Sequence, residues 1–196
     1  MLSLSLALAC ALPAGQSRAE KGDRTQPWVI EADRDGVIDL QRQVLVYSGN
    51  VVISQGSMVL RAERVEMREM PDGYRAATAM GSPARPASWR QRRDGVDETV
   101  EGTAERIEFD GRADTLRFLG NGAVRRLRGG TVADEITGAT IIWDNTAEVF
   151  KVEGGAKTAT NPTGRVRAVL SPRVEPAASA PATSPLTPSR ALGERR

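Results

Sequence analysis

Apolar and polar residues alternate over short stretches of the chain, which is the pattern of β-strands with one buried face and one wetted face. In one stretch Met58 and Leu60 share a face, while Arg61 and Glu63 share the opposite face. Two further stretches repeat this arrangement: Ile107 with Phe109, and Leu116 with Phe118. The alternation therefore predicts a sheet that buries its apolar side.

Turn-forming pairs separate these stretches at intervals of about 8 to 12 residues, the rhythm of an all-β domain. Examples are Asp35-Gly36, Gly49-Asn50, Gly56-Ser57, Asp94-Gly95, Asp110-Gly111, Gly120-Asn121, Gly129-Gly130, Asp144-Asn145 and Gly154-Gly155. The best helical candidate, residues 62–70, also fits a strand that places Val65 and Met67 on one face. Because its neighbours are strands, we interpret it as a strand.

One phrase occurs twice without a gap, as GNVVISQGSMVLRAERVEM from Gly49 and as GNGAVRRLRGGTVADEITG from Gly120. A triplet of alanine, an acidic residue and a charged residue occurs at four places: Ala32-Asp33-Arg34, Ala62-Glu63-Arg64, Ala104-Glu105-Arg106 and Ala133-Asp134-Glu135. Such repetition predicts hairpin-sized rungs, each with an inward alanine, outward charges and a glycine corner. A single rung cannot bury its apolar face, so the rungs must stack.

The two ends of the chain differ from its middle. Residues 1–19 have a short apolar run followed by Ser17-Arg18-Ala19, which predicts a signal peptide cleaved after Ala19 and therefore export. The basic segment that normally begins a signal peptide is missing, which suggests that translation starts upstream. A lipoprotein signal ending at Cys10 is the alternative for this segment.

The remaining sequence divides into a leader, a body and a tail. Residues 20–25 are expected to be a short leader of the mature chain, and residues 26–171 the folded domain. Residues 172–196 are dominated by proline, alanine, serine and threonine, so they have too little apolar surface to offset the entropy of ordering. We predict that this tail is disordered.

The composition excludes several kinds of chemistry. The chain has no histidine, and its only cysteine, Cys10, lies in the predicted signal peptide. Catalytic sites that depend on histidine or on a thiol are therefore excluded, and so are the common zinc sites. The charges almost balance, with 27 basic and 25 acidic residues, so a general attraction to nucleic acid is not expected. We expect no cofactor and no metal.

One acidic motif and one glycine-rich motif are candidates for catalytic or phosphate-binding chemistry. Asp97, Glu98 and Glu101 offer a carboxylate pair of the kind that hydrolyses glycosides, although carboxylates at a solvated turn are the commoner case. The segment 152–158, VEGGAKT, lacks the glycine spacing of a phosphate-binding loop. Neither motif predicts an enzyme.

Two arginine clusters remain: Arg90, Arg92 and Arg93, and Arg125, Arg126 and Arg128. Few aromatic residues accompany them, and the predicted export is unfavourable for nucleic-acid binding. Contact with the phosphates of an anionic lipid suits the arginine side chain, and a solvated strand surface is the simplest interpretation.

Motifs along the whole body resemble those of the LptA family, the OstA-like periplasmic lipopolysaccharide-transport proteins. They are VYSGNVVISQGSMVLRAERVEM, GYRAATAMGSPA, RRDGVDETVEGTAERIEFD and LGNGAVRRLRGG followed by ADEITG, and the resemblance runs from Gln26 to Leu170. One departure concerns the aromatic residue that family members commonly have shortly after GSPA. Arg85-Pro86 occupies that place here, and Trp89 is the nearest aromatic residue.

The resemblance implies an all-β fold, a β-jelly-roll of antiparallel strands that forms an open V-shaped trough. It also implies a non-enzymatic protein that binds the acyl chains of lipopolysaccharide in the trough and stacks head to tail into a bridge between the two membranes. The edge near Trp28 to Ile30 would meet an inner-membrane transport complex. The strands near Val149 to Val169 would meet another copy or an outer-membrane translocon.

Alternation, rather than the family, selects the residues expected to line the trough. They are Ile30, Leu45, Tyr47, Val51, Ile53, Met58, Leu60, Val65, Met67, Ile107, Phe109, Leu116, Phe118, Ile136, Trp143 and Phe150. Composition alone does not separate an acyl-binding slot from an ordinary packed core. A polymerising β-scaffold with a dry interior, a membrane-anchored partner of the same pathway and a polysaccharide-cleaving enzyme are therefore the alternatives.

Overall fold

The computed structural model describes residues 22–82, 84–93, 95–157 and 161–172. Within these residues the chain forms one antiparallel system of β-strands, preceded by the 3-10 helix Asp23–Thr25. The strands are β1 (Val29–Glu31), β2 (Gly36–Asp39), β3 (Val44–Gln55), β4 (Met58–Glu69), β5 (Arg75–Met80), β6 (Ala87–Arg92), β7 (Glu98–Ala104), β8 (Arg106–Asp110), β9 (Thr115–Arg128), β10 (Thr131–Asp144), β11 (Val149–Glu153) and β12 (Arg167–Leu170). The prediction of an all-β chain is confirmed, and residues 62–70 lie mostly in β4.

Several expectations fall at the ends of the chain. The predicted signal peptide, residues 1–19, and the tail from residue 173 onward lie outside the described residues. The described part of the expected leader contains the 3-10 helix and the buried Asp23, whose carboxylate accepts a hydrogen bond from the Ser57 amide of the domain. In the described part of the chain no helix has the length and hydrophobicity that a membrane span requires.

The four long strands change partners halfway along their length. Residues 59–61 of β4 pair with β6, whereas residues 64–69 pair with β5. Residues 115–119 of β9 pair with β8, whereas residues 123–128 pair with β7. β3 pairs in the same way with β1 over one half and with β2 over the other, and β10 pairs with β12 over one half and with β11 over the other.

This exchange of partners folds the sheet into two walls. The first wall contains β1, β6, β7 and β12 with one half of each long strand, and the second wall contains β2, β5, β8 and β11 with the other halves. The long strands cross from wall to wall along one edge, which we call the spine. The turns at the opposite ends of the two walls face each other across a gap, which we call the mouth.

The repeated phrase marks the spine. Gly49 and Asn50 have φ angles of 83° and 45°, and Gly120 and Asn121 have 77° and 50°, so both Gly-Asn pairs adopt the left-handed conformation where β3 and β9 cross. Glycine is favoured there because it has no Cβ to clash in that conformation. The prediction of glycine corners is confirmed at these two positions.

The alanine triplets are only partly equivalent. The first and third copies lie beside the two Gly-Asn corners: the Asp33 amide donates to the Gly49 carbonyl at 2.8 Å, and the Glu105 amide donates to the Gly120 carbonyl at 2.9 Å. The second copy lies where β4 crosses. The expectation for the fourth copy, residues 133–135, is wrong, because the first-wall part of β10 is longer and β10 crosses only after Gly138.

The two walls pack against each other through their apolar faces. The rings of Trp89 in the first wall and Phe118 in the second meet edge to face, with centroids 6.3 Å apart. Trp28 and Phe109 make a second contact between the walls at 6.1 Å. Burial of these faces is the main source of stability for a sheet whose outer surface is charged.

Candidate functional site

A cavity of about 320 Å³ lies between the walls, close to the mouth. Its inner surface is apolar and is formed by Trp28, Met58, Leu60, Ala77, Trp89, Phe109 and Leu116. Its rim is polar and is formed by Asp23, Arg24, Gln55, Tyr74, Arg75, Gln91, Asp114, Thr115 and Asn145. An apolar interior with a polar rim suits a ligand that has a hydrocarbon chain and a hydrophilic head.

The structure places every residue of the predicted trough lining toward the interior. Val51, Ile53, Met58, Leu60, Val65, Met67, Ile107, Leu116, Phe118 and Trp143 are buried, whereas Ile30, Leu45, Tyr47, Phe109, Ile136 and Phe150 are half-buried and pack against them. These residues do not all reach the cavity. Of the set, Met58, Leu60, Phe109 and Leu116 line it. Their contact with lipid stays a prediction.

The other members of the predicted lining belong to a packed core beside the cavity. Phe118 and Ile53 have no exposed surface, and Ile107 has only 1%. Near the last strands Trp143 stacks on Phe150, with ring centroids 4.2 Å apart. The interior is therefore a packed core along part of its length and a cavity near the mouth.

Three residues of the apolar inner surface were absent from the predicted set: Trp28, Ala77 and Trp89. Ala77 alternates with Ala76 and Thr78 in β5, a weak hydrophobic contrast that alternation alone does not detect. Trp89 lies in β6 between a serine and an arginine, and this alternation was the available signal. Because Trp89 is 5% exposed and lines the cavity, it supplies an aromatic surface after the GSPA motif.

Glu98 is the centre of an ionic network at the end of the first wall. Its carboxylate pairs with Arg93 at 2.5 Å, with Arg128 at 3.0 Å and with Arg126 at 3.6 Å. Burial by itself would raise the pKa of Glu98, but the hydrogen bonds from Arg128 and Arg93 outweigh burial and hold the pKa below its ordinary value. A general acid for glycoside cleavage needs the opposite shift.

Neither carboxylate of the candidate hydrolytic pair reaches the cavity. Glu101 projects from β7 onto the outer face of the first wall, where it lies opposite Arg90 and Arg125. On that face Arg125 also donates to Glu135 at 2.8 Å. Arg93, Arg126 and Arg128 belong instead to the network around Glu98. Across the described ranges no group of three or more acidic, histidine or cysteine side chains is arranged to hold a metal.

The network predicts a pH-dependent contribution to stability. We expect Glu98→Gln to lower the free energy of unfolding by about 1 kcal/mol at pH 7, because charge-assisted hydrogen bonds are lost. A carboxyl group whose pKa is lower in the folded state stabilises above its ordinary pKa, 4.5, and loses that effect as the pH falls through the folded value. Urea unfolding of the wild-type chain and the Glu98→Gln variant from pH 7 to pH 3 measures this contribution. The difference between their free energies of unfolding should become smaller in acid. Glu153→Gln, at an exposed position of β11, is the control; a constant difference for Glu98→Gln would contradict the prediction.

The fold and the cavity together define a class of protein: an OstA-like β-jelly-roll, with two antiparallel walls joined at a spine around an apolar interior. Residues 29–149 match the family model described as "LptA/(LptD N-terminal domain) LPS transport protein". This match covers more than half of the chain, which therefore belongs to that family.

Individual relatives agree with this assignment. The lipopolysaccharide export system protein LptA of Escherichia coli K12 is 32% identical over 111 residues, 56% of this chain and 58% of that protein, so the match spans little more than half of the relative. LptA of Haemophilus influenzae is 26% identical over 82% of this chain and 86% of its own length. The crystal structure of Pseudomonas aeruginosa LptH, described as a periplasmic component of the lipopolysaccharide transport device, matches with a TM-score of 0.64 at 23% identity. It covers 76% of this chain and 99% of LptH, and shows the fold.

Proposed function

We propose that the chain is a non-enzymatic periplasmic carrier that binds the acyl chains of lipopolysaccharide between its walls and helps to bridge the inner and outer membranes. The observation that carries this proposal is the apolar cavity that opens toward the mouth. The relatives named for lipopolysaccharide export support it. Export by a cleaved signal peptide is part of the proposal.

The energetics of lipid transfer explain why such a cavity is useful. Exposing hydrocarbon to water costs about 0.8 kcal/mol for each methylene, so an acyl chain of about a dozen carbons costs on the order of 10 kcal/mol. An aqueous compartment is crossed readily only if the chain stays shielded. The sugars of the same molecule are well hydrated and can remain outside the mouth.

The ends of the sheet suit assembly with neighbours. β1 and β2 form one pair of edges and β11 and β12 form the other, since each of these strands pairs with a single long strand. Ile38 of β2 and Leu170 of β12 are 55% and 69% exposed. Unpaired edges with exposed apolar residues favour strand addition. The first pair would meet an inner-membrane transport complex, and the second another copy or an outer-membrane translocon, giving a head-to-tail homo-oligomer.

Filling the cavity tests the carrier proposal. We expect Ala77→Phe to weaken lipopolysaccharide binding about tenfold or more, which corresponds to 1.4 kcal/mol, because Ala77 lines the cavity and its enlarged side chain would occupy the slot. Binding is measured by titration of the purified chain with lipopolysaccharide. Ala76→Phe is the matched control, because Ala76 is the preceding residue of the same strand and faces away.

Two results would contradict the proposal. The first is a wild-type chain that neither co-purifies with lipopolysaccharide nor binds it in titration. The second is an Ala77→Phe variant that keeps its folded spectrum and binds as tightly as the Ala76→Phe variant. Either result would favour a polymerising scaffold with a dry interior, for which filling the cavity has no consequence.

A further inference from the structure

The segment of residues 22–28, which we call the strap, lies along the mouth end of the first wall, and its Arg24 side chain reaches the second wall. Asp23 fixes it to the first wall. The Asp23 carboxylate accepts hydrogen bonds from the Ser57 amide at 2.6 Å, the Ser57 hydroxyl at 2.7 Å and the Gln91 side-chain amide at 2.9 Å. Asp23 is only 4% exposed, and among the described residues it is the charged residue that is classed as buried. A carboxylate is buried in this way only when hydrogen bonds replace its hydration.

The turn between β3 and β4 is shaped to receive this carboxylate. Gly56 has a φ angle of 56°, and a Cβ added to it would lie 2.0 Å from Oδ1 of Asp23. Gln55 adds two hydrogen bonds from its side-chain amide, to the carbonyl of Arg24 at 3.3 Å and to the carbonyl of Gln26 at 3.1 Å. The strap is therefore firmly attached to the first wall.

The attachment of the strap to the second wall is different. Arg24 forms an ion pair with Asp114, which lies in the turn between β8 and β9. Asn145, in the neighbouring turn, donates to the same carboxylate at 3.1 Å. The Arg24 side chain is 60% exposed, and an exposed ion pair is weak and easily screened. Below it, Trp28 packs on Phe109 at the inner surface of the cavity.

A second ion pair joins the walls farther along the mouth. Arg93 lies at the end of β6 in the first wall and donates to Glu148 in the turn between β10 and β11, at 2.5 Å. Arg93 also pairs with Glu98 of its own wall. Oε1 of Glu148 is buried and has no hydrogen-bond partner in the described part of the protein, so this contact is imperfectly satisfied.

We propose that these two ion pairs, Arg24–Asp114 and Arg93–Glu148, are clasps that hold the mouth closed, and that they must release before an acyl chain enters the cavity. This inference rests on the proposed carrier function and identifies the contacts that control entry of the acyl chain. The clasps are suited to release because each is a single ion pair between side chains of opposite sides of the mouth, while the spine joins the walls through continuous strands. When the Arg24–Asp114 ion pair breaks, the hydrogen bonds of Asp23 keep the strap on the first wall.

A reversible link across the first clasp tests this directly. In a Cys10→Ser background the chain has no cysteine, so Arg24→Cys with Asp114→Cys introduces a unique pair of thiols. A short bis-methanethiosulfonate linker closes the pair, and dithiothreitol opens it again. We expect the linked protein to bind purified lipopolysaccharide about tenfold more slowly or worse, as closed lids do, and the same sample to recover after reduction. Since one preparation is measured in both states, misfolding is controlled.

Removal of the second clasp gives an independent test. Arg93→Ala should raise the rate of lipopolysaccharide association several-fold, whereas Arg128→Ala should leave it unchanged. Arg128 is the matched control because it pairs with the same carboxylate as Arg93, that of Glu98, but within the first wall. Equal association rates for linked and reduced protein would overturn the clasps and leave the carrier function standing. Absence of binding in both states, and in the wild-type chain, would overturn the carrier function and the clasps together.

Discussion

Phe118→Ala is expected to lower the free energy of unfolding by about 3 to 5 kcal/mol, the range for removing a buried aromatic ring from a packed core. Phe118 has no exposed surface, and its ring contacts Trp89 of the opposite wall edge to face. The truncation therefore leaves a void between the walls, which the strands cannot close because both sheets are fixed by their hydrogen-bonded ladders. Denaturant unfolding monitored by tryptophan fluorescence measures the change.

Phe109→Ala is the comparison for that experiment. Phe109 is half-buried and already borders the cavity, so its removal enlarges an existing space and should cost clearly less than removal of Phe118. A loss below about 1 kcal/mol for Phe118→Ala would mean that the walls do not pack at this point. The interior would then be open along a greater length than the structure indicates.

Gly102→Ala is expected to destabilise the chain by about 2 to 3 kcal/mol, because a methyl group on the first wall would be forced against the Phe118 ring of the second wall. A Cβ on Gly102 would lie 2.4 Å from Cε1 and 2.7 Å from Cζ of the Phe118 ring. The ring is fully buried and packs on Trp89, so it can move away only by disturbing that contact. Thermal and urea unfolding of the variant measure the loss.

Gly122→Ala is the matched control, since Gly122 is also a buried strand glycine. A Cβ there would meet its nearest atoms at 3.3 Å, so we expect a change within about 1 kcal/mol. Both substitutions reduce the freedom of the unfolded chain in the same way, and their difference isolates the clash. Gly102→Ala should also cost less in a Phe118→Ala background; strict additivity of the two changes would contradict a direct contact.

The proposed carrier function places two demands on the interior, and the packed region and the slot each meet one of them. The contact between Trp89 and Phe118 keeps the walls together, while the neighbouring space remains available for a hydrocarbon chain. Trp89 takes part in both, because it packs on Phe118 and borders the cavity. Under the proposed function, lipid would enter at the mouth while the core that maintains the fold stays packed.

Much of the fold was predictable because the signals are local. Side chains alternate between the faces of a strand with a period of two residues, so the order of apolar and polar positions is enough to assign Leu60, Phe118 and the rest of the predicted set to the interior. The Gly-Asn corners were predictable for a similar reason, since a left-handed conformation restricts the residue at that position. The family resemblance then supplied the jelly-roll arrangement.

The cavity was less predictable because alternation shows only that a residue faces inward. It does not show what that residue meets. Leu60 borders the cavity and Ile53 lies in the packed core, yet they are cross-strand neighbours with the same pattern. Ala77 was missed because its side chain is small, although a small side chain is what leaves space in the slot.

By itself the sequence determined that the chain is built of strands with one apolar face, that glycine corners recur in it, and that chemistry requiring histidine is excluded. Only the tertiary structure decided that Asp23 is buried, and that Arg24 reaches Asp114 and Arg93 reaches Glu148 across the mouth. The reason is physical. Strand patterns depend on neighbours in sequence, whereas contacts between the walls depend on where the long strands fold back, and that is fixed by the packing of the whole sheet.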